Sequence, residues 1–221
     1  ALSHDRLPVH VAANYVGKGV SLLSVYLCVP LFFAYLGPEA YGMVGFFAVL
    51  QGLLAFADLG FGAALSRETA RLAVSPEGRK EIPDLLRTVE LVCFVAGAVL
   101  VASVVAFSGL IGRHWLQAEE LSPATLANTI VLMGLVIAAQ LAAGVYQGGL
   151  MGLQHQVTSN VMQVLWALCR SGGAVAVLSL VSPTLYAFFG WQLAANVVYL
   201  AAGRHALWRA AAEAAAAPRG P

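Results

Sequence analysis

Long apolar runs separated by short polar segments are the main pattern along the chain. Six of these runs are long enough to cross a bilayer, because a spanning helix needs about 20 mostly apolar residues. They cover residues 14–36, 43–66, 89–112, 128–150, 161–181 and 184–203. The runs are unbroken rather than alternating, so they do not fit the strands of a β-barrel. The pattern predicts an all-α polytopic membrane protein with about six transmembrane helices.

Glycine and proline mark the expected breaks between the runs. Gly37-Pro38-Glu39 predicts a turn after the first run, and Ser182-Pro183 predicts a tight turn before the sixth. Pro30 lies inside the first run and predicts a kink there. We therefore expect residues 1–206 to form one six-helix transmembrane lobe. Residues 207–221 form an alanine-rich tail that carries no recognisable chemistry.

Composition supports the membrane assignment and narrows the function. Hydrophobic residues make up 60% of the 221 residues and charged residues 10%, whereas soluble domains have about 25% charged residues. The net charge of +1 gives no indication of nucleic-acid binding. The sequence contains no GxxxxGK[ST], HExxH or GxSxG motif and no Cys/His cluster. We expect neither an enzyme nor ATP-driven transport by this chain alone, and no cofactor or metal.

Basic residues predict the orientation in the membrane, because they favour the cytoplasmic side. The segment after the second run is the most basic, and we interpret it as a cytoplasmic loop; a site for lipid headgroups or a partner is the alternative. The N- and C-termini are then both cytoplasmic. The basic residues of this segment are Arg67, Arg71, Arg79, Lys80 and Arg87.

Arg170 is the most unusual polar residue within an apolar run. It lies near the middle of the fifth run, where a charge costs about 2.5–3.5 kcal/mol on the insertion scale. Gln163 and Asn160 fall on the same helical face. Two interpretations remain open: Arg170 faces a functional cavity, or it is a structural residue satisfied by backbone carbonyls or a buried acid.

The fourth run combines a glutamine face with a glycine series. Small residues four apart allow helix backbones to approach closely, so we interpret the glycines as a packing surface. The glutamines either line a hydrophilic path or bond to neighbouring helices. The glutamines are Gln140, Gln147 and Gln154, and the glycines are Gly144, Gly148 and Gly152.

The first two runs contain further polar residues. Asn14 and Lys18 share a face of the first run, and Lys18 is close enough to the membrane surface to extend towards water. Asp58 lies deep in the second run, in the sequence Asp58-Leu-Gly-Phe-Gly62. At that depth we expect a protonated carboxyl or a pairing with Lys18 or Arg170.

The remaining polar positions belong to the third and sixth runs. Glu90 lies one turn from Arg87, with which we expect it to form an interfacial pair. Gln192 and Asn196 are four residues apart on one face. If the polar faces of four or five helices meet, the bundle encloses an amphipathic, partly cationic cavity suited to an anionic, hydroxyl-rich headgroup.

Several motifs near the N-terminus resemble a known family. Asn14-Tyr-Val-Gly-Lys18, the stretch from Pro30 to Gly42 containing LGPEAYG, Asp58-Leu-Gly-Phe-Gly62 and Arg67-Glu-Thr-Ala-Arg71 are similar to the Wzx-type oligosaccharide flippases. These belong to the multidrug/oligosaccharidyl-lipid/polysaccharide (MATE-like) exporter superfamily. LGPEAYG together with DLGFG at this spacing is fairly specific, and the strong match covers roughly residues 10–75.

The resemblance implies translocation of an undecaprenyl-pyrophosphate-linked oligosaccharide across the bacterial inner membrane for surface polysaccharide synthesis. It also implies alternating access between two six-helix lobes, with possible coupling to H⁺ or Na⁺. Six runs correspond to one lobe, so the second lobe comes either from a missing C-terminal half or from a second copy. At positions matching the family, Lys18 and Asp58 are implicated, with Asp58 as a coupling or gating carboxylate.

Three hypotheses follow from the residues and the resemblance together. In the first, Arg170 and Lys18 attract the pyrophosphate, and the amides of Asn14, Gln140, Gln147, Gln163, Gln192 and Asn196 line the substrate cavity. In the second, the chain is half of a small-molecule cation efflux transporter, which predicts an acidic lumen. In the third, it is a non-transporting membrane partner that assembles a polysaccharide synthesis complex through its GxxxG faces.

Overall fold

The chain is helical in every segment that the structure describes. The computed structural model describes the backbone of residues 7–57, 60–114 and 121–216, and the side chains of residues 27–53, 60–110 and 121–216. Over these segments there are six helices and no strand, which confirms the predicted all-α class. The helices are α1 (Leu7–Ala57), α2 (Phe61–Ala73), α3 (Pro76–His114), α4 (Pro123–Gly152), α5 (Gln156–Leu180) and α6 (Leu185–Ala216).

Helix α1 is two helical segments separated by a break at Gly37. Gly37 has φ 78° and ψ 170°, a conformation that glycine adopts readily because it has no Cβ atom. It also precedes Pro38, and the residue before a proline is disfavoured in the α conformation. The turn predicted at Gly37-Pro38-Glu39 is therefore present. Pro30 lies inside the helical segment before this break.

Five described stretches are long and apolar enough to cross a membrane. They are Leu27–Leu53, Pro76–Leu110, Pro123–Gly152, Gln156–Leu180 and Leu185–Ala216. Large apolar side chains are exposed along them, for example Phe94, which is 75% exposed on α3. A face of this kind matches lipid rather than water. The chain is therefore a multi-pass membrane protein. Most of the first predicted run, 14–36, lies outside the described side chains.

The segment predicted as a basic loop is helical. The predicted second run, 43–66, is interrupted, since α1 ends at Ala57 and α2 begins at Phe61. Helix α2 carries Arg67 and Arg71 on its exposed side, and it buries Leu65, Thr69 and Leu72. The mean hydropathy of such an amphipathic helix is low, because the residues of its polar face offset those of its apolar face. The segment was therefore interpreted as a loop. The other three basic residues lie on the first turns of α3.

The glycine series of α4 packs against α2. A Cβ atom added at Gly148 would overlap the backbone of Gly62, and one added at Gly152 would overlap Thr69 Oγ1 and the backbone carbonyl of Ser66. From the α2 side, a Cβ atom added at Gly62 would lie 3.2 Å from the Gly144 carbonyl oxygen. The predicted packing role of the glycines is thus confirmed, and their partner is another helix of the same chain.

Two apolar clusters, one towards each end of the bundle, bury the helices against each other. Helix α4 contributes to both: Met133 and Val136 belong to the first cluster, and Val145 and Leu150 to the second. The first cluster also contains Phe32, Phe47, Leu178, Phe188 and Phe189. The second includes Leu65 and Leu72 of α2, Ile82 and Leu86 of α3, and Leu207 and Ala211 of α6.

The second cluster lies at what we call the basic end of the bundle, which carries the arginines of α2, of the start of α3 and of the end of α6. Residues 207–216 of the alanine-rich stretch are part of this end and do not form a separate tail. Helix α6 continues to Ala216, and Leu207, Ala210 and Ala211 are buried. Alanine is the best helix former, and its small side chain permits close packing.

Glu90 links three helices at the basic end. Its carboxylate accepts hydrogen bonds from Tyr146 Oη on α4 at 3.0 Å, from Arg204 Nε on α6 at 2.9 Å and from Trp208 Nε1 on α6 at 2.7 Å. The expected pairing with Arg87 is wrong, because Arg87 bonds Asp84 one turn earlier. The spacing of residues along the chain did not indicate that Arg204 and Trp208 of α6 lie at the same end of the bundle as Glu90.

We expect Glu90→Gln to lower the thermal stability of the protein in detergent. The change keeps the side-chain shape but weakens three charge-assisted hydrogen bonds, each contributing about 1.5–3 kcal/mol when shielded. Partial exposure of Glu90 (21%) and Arg204 (57%) reduces the total, and we expect a loss of about 1–2 kcal/mol. Asp84→Asn is the matched control: that carboxylate is 78% exposed, and its loss should be nearly neutral. Equal effects of the two changes would contradict a structural role for Glu90.

Candidate functional site

A layer of polar side chains lies at mid-depth between the two apolar clusters. Helices α4 and α6 run parallel, since Gln147 bonds Tyr199 and, further along both helices, Gly149 packs on Leu207. Gln140 lies seven residues before Gln147, and Gln192 lies seven before Tyr199. Gln140 and Gln192 are therefore at the same depth, and Asn196 follows one turn later.

Arg170 lies at the same depth on the neighbouring helix. Helices α5 and α6 are antiparallel: Trp166 stacks on Tyr199, and Gly173 packs on Trp191. Arg170 is between these two contacts, so it is level with the segment of α6 that carries Gln192 and Asn196. At 1.5 Å per residue it is about 21 Å from the start of α5 and about 15 Å from its end. The polar stripes predicted on three helices thus reach a common depth.

The amides of this layer make few hydrogen bonds. Gln51 of α1 donates from Nε2 to Gln140 Oε1 at 2.8 Å, and Asn196 Nδ2 donates to the backbone carbonyl of Gln192 at 2.7 Å. Gln140 Nε2, Gln192 Oε1 and Asn196 Oδ1 are buried and have no hydrogen-bond partner among the described residues. Asn196 is fully buried, with 0% exposure. Unpaired amide groups at this depth cost free energy.

Arg170 has an aromatic neighbour and no acidic one in the described segments. Its Cζ atom lies 4.8 Å from the centroid of the Trp166 ring, and its Nε atom is buried without a hydrogen-bond partner there. The four ion pairs formed by described residues do not involve it. A cation–π contact gives about 2 kcal/mol when desolvated, which offsets only part of the insertion cost of about 2.5–3.5 kcal/mol.

Aromatic and amide side chains connect Arg170 to α4. The Trp166 and Tyr199 rings stack with centroids 4.9 Å apart and an interplanar angle of 22°. Gln147 Nε2 donates to Tyr199 Oη at 2.9 Å. A continuous set of contacts therefore runs from the guanidinium group through two rings to an amide. Cationic, aromatic and amide groups in one array are suited to an anionic, hydroxyl-bearing ligand.

A small cavity adjoins this array. It lies between α4, α5 and α6, next to Gln147, Ser159 and Tyr199, and its volume is about 10 Å³. That is the space of about one water molecule. This cavity is too small for a sugar headgroup, and the larger headgroup cavity expected from the sequence stays a prediction.

Two other predicted polar residues in the described segments, Gln163 and Gln154, lie outside this layer. Gln163 is half-buried on the Arg170 face of α5, two turns nearer the basic end. Gln154 lies in the turn after α4, with a φ of 63°, and so leaves the glutamine face. The side chains of Asn14 and Lys18, and all of Asp58, lie outside the described residues. Among the residues described, no group of His, Cys, Asp or Glu is placed to hold a metal ion.

Comparison with known proteins decides the family. The sequence model of the family described as "Polysaccharide biosynthesis protein" matches residues 9–218. The chain belongs to this family. No match was found among curated proteins or solved structures. The family match extends far beyond the N-terminal motifs near residues 10–75 and includes the helices that carry the polar layer.

Three residues of the site in this polysaccharide biosynthesis protein were not identified from the sequence. Gln51 is an isolated amide in an apolar run, and a search for single polar residues within the runs would have identified it. Trp166 and Tyr199 carry no such signal, because aromatic residues are common in apolar spans. Their role depends on the pairing of α5 with α6, which the spacing of residues along the chain does not show.

Proposed function

We propose that this chain is one lobe of a flippase that moves a lipid-linked oligosaccharide across the bacterial inner membrane for surface polysaccharide synthesis. The observation that carries the proposal is Arg170, a cation at mid-depth with no described carboxylate beside it, in a chain of the polysaccharide biosynthesis family. A charge kept at this depth usually serves a ligand or a pathway.

The charge of the site favours an anionic substrate over a cationic one. A pyrophosphate presents several oxygens, and a guanidinium group binds such oxygens with two parallel hydrogen bonds. An efflux site for organic cations would need acidic groups, whereas the charged residue in the described part of the polar layer is an arginine. The substrate that fits is an undecaprenyl-pyrophosphate-linked oligosaccharide, with its tail in lipid.

The small cavity between α4, α5 and α6 does not serve as the path of the substrate headgroup in this proposal. A volume of about 10 Å³ holds no sugar ring, so we place the path of the headgroup outside this cavity, between this lobe and a second body. Alternating access by rocking of two repeats requires such a body. A C-terminal half or a second copy of the chain would supply it. Asp58 is the proposed coupling or gating carboxylate, with H⁺ or Na⁺ as the coupling ion.

The proposed function predicts a specific topology. The basic end faces the cytoplasm, because basic residues favour that side, and both termini then lie there. The alternative of an assembly partner acting through GxxxG faces loses its support, since Gly144, Gly148 and Gly152 pack against α2 of the same chain.

A reconstituted translocation assay tests this function. Vesicles that contain the purified chain, alone or with two copies joined in tandem, would be loaded with a labelled undecaprenyl-pyrophosphate oligosaccharide in one leaflet. We expect the sugar to become accessible to an added glycosidase faster than in protein-free vesicles, at least for the tandem form. A phosphate-free polyprenyl glycoside is the control substrate. Rates equal to those of protein-free vesicles, for the tandem form as well, would contradict the proposal.

A further inference from the structure

One face of α5 carries three buried polar atoms without hydrogen-bond partners among the described residues. They are Ser159 Oγ, Trp166 Nε1 and Arg170 Nε. The three residues are seven and four apart, so their side chains fall within about 40° of one another around the helix. They extend over about 16 Å, from three residues after the start of α5 to the polar layer.

The cavity between α4, α5 and α6 adjoins the Ser159 end of this face. Its lining includes the side chains of Gln147, Ser159, Met162 and Tyr199. A buried water needs about 10–15 Å³ and two to four polar partners. The volume of about 10 Å³ meets the first requirement, and the Ser159 hydroxyl, the Tyr199 hydroxyl and the Gln147 amide meet the second. The cavity is therefore large enough for a water molecule and too small for a sugar ring.

The free-energy cost of unpaired polar groups favours the presence of water beyond the cavity, further along the same face of α5. An unsatisfied polar group within a bilayer costs several kcal/mol. Trp166 Nε1 and Arg170 Nε are N–H donors on the same face as Ser159, further from the basic end. Water that accepts hydrogen bonds from both atoms would remove this cost.

We propose that water enters the lobe from its basic end and forms a file along this face of α5, from Ser159 to Arg170. The shortest route to water begins at the basic end, because Ser159 is only one turn from Gln156. The guanidinium group is then hydrated from one side of the membrane while α5 exposes Val161 and Leu165 on its other faces. This inference does not depend on which substrate the protein moves.

Radiolytic hydroxyl-radical labelling of the full chain in nanodiscs tests the file, because radicals form from water beside the labelled side chain. Met162 lines the cavity, and Met133 is fully buried in an apolar cluster. We expect oxidation of Met162 to exceed that of Met133 several-fold. The same comparison applies to Trp166 and Trp191, since the Trp191 indole donates to the Cys169 carbonyl. Equal labelling within either pair would overturn the proposal.

A variant that fills the cavity distinguishes labelling of Met162 by internal water from labelling by bulk water. Ser159→Val removes the hydroxyl and adds volume, so labelling of Met162 should fall towards that of Met133. Ser179→Val is the matched control, because that exposed serine bonds the Ala176 carbonyl at the other end of α5. Ser159→Ala, which adds no volume, is the second variant if the valine does not fold, and it should lower labelling less. Labelling of Met162 that neither variant changes would show access from bulk water and overturn the proposal.

Discussion

Gly148→Ala is expected to destabilise the protein severely, although alanine is the better helix former. The added Cβ atom would overlap the carbonyl oxygen, carbonyl carbon and Cα atom of Gly62. Those are backbone atoms, which cannot rotate aside as a side chain does. Overpacking in a tight core costs about 1–3 kcal/mol, and displacing α2 would also expose Leu65 and Leu72. We expect a total loss of about 3 kcal/mol or more.

Gly172→Ala is the control for this change. Gly172 is also inside a transmembrane helix, but an added Cβ atom there would meet no atom within 4 Å. Helix propensity alone then acts, and it favours alanine by about 1 kcal/mol. Thermal unfolding in detergent should separate the two variants, with Gly172→Ala at or above the original stability. Similar unfolding temperatures would show that α2 does not pack on α4 through these glycines.

Arg170→Gln is expected to abolish most polysaccharide export without reducing the amount of protein in the membrane. A hydrogen bond to a charged group contributes about 1.5–3 kcal/mol, which corresponds to about tenfold to a hundredfold in substrate affinity. Arg170→Lys should retain part of the activity, because lysine keeps the charge but loses the planar fork and its contact with Trp166. Surface polysaccharide measured at matched protein level provides the readout.

Two further variants distinguish a ligand-binding arginine from a structural one. Arg67→Gln removes an exposed cation at the basic end and should leave export unchanged. Arg170→Leu should raise thermal stability while it abolishes export, because it removes an incompletely paired buried charge. Lower stability together with normal export would identify Arg170 as a structural residue.

The sequence predicted the helical class and the depth of the polar residues well. Apolar runs and the Gly37-Pro38 turn depend on local physics, namely the thickness of a bilayer and the torsions of glycine and proline. The glycine series of α4 was also identified from spacing. Its partner on α2 was not, because spacing along one helix does not indicate which helix it meets.

The errors arose where tertiary contacts decide the outcome. An amphipathic helix was interpreted as the 67–87 loop, and Glu90 was paired with its neighbour in sequence instead of Arg204 on a distant helix. The predicted headgroup cavity stays a prediction, because Asn14, Lys18 and Asp58 lie outside the described side chains.

Binding of a pyrophosphate lipid to the purified protein tests the central claim most directly. Native mass spectrometry would compare undecaprenyl pyrophosphate with undecaprenol, for the original protein, Arg170→Gln and Arg67→Gln. We expect the original protein and Arg67→Gln to retain the pyrophosphate lipid in preference to the alcohol, and Arg170→Gln to lose this preference. Equal retention of the pyrophosphate lipid by Arg170→Gln and the original protein would contradict the assignment of Arg170 as its binding group.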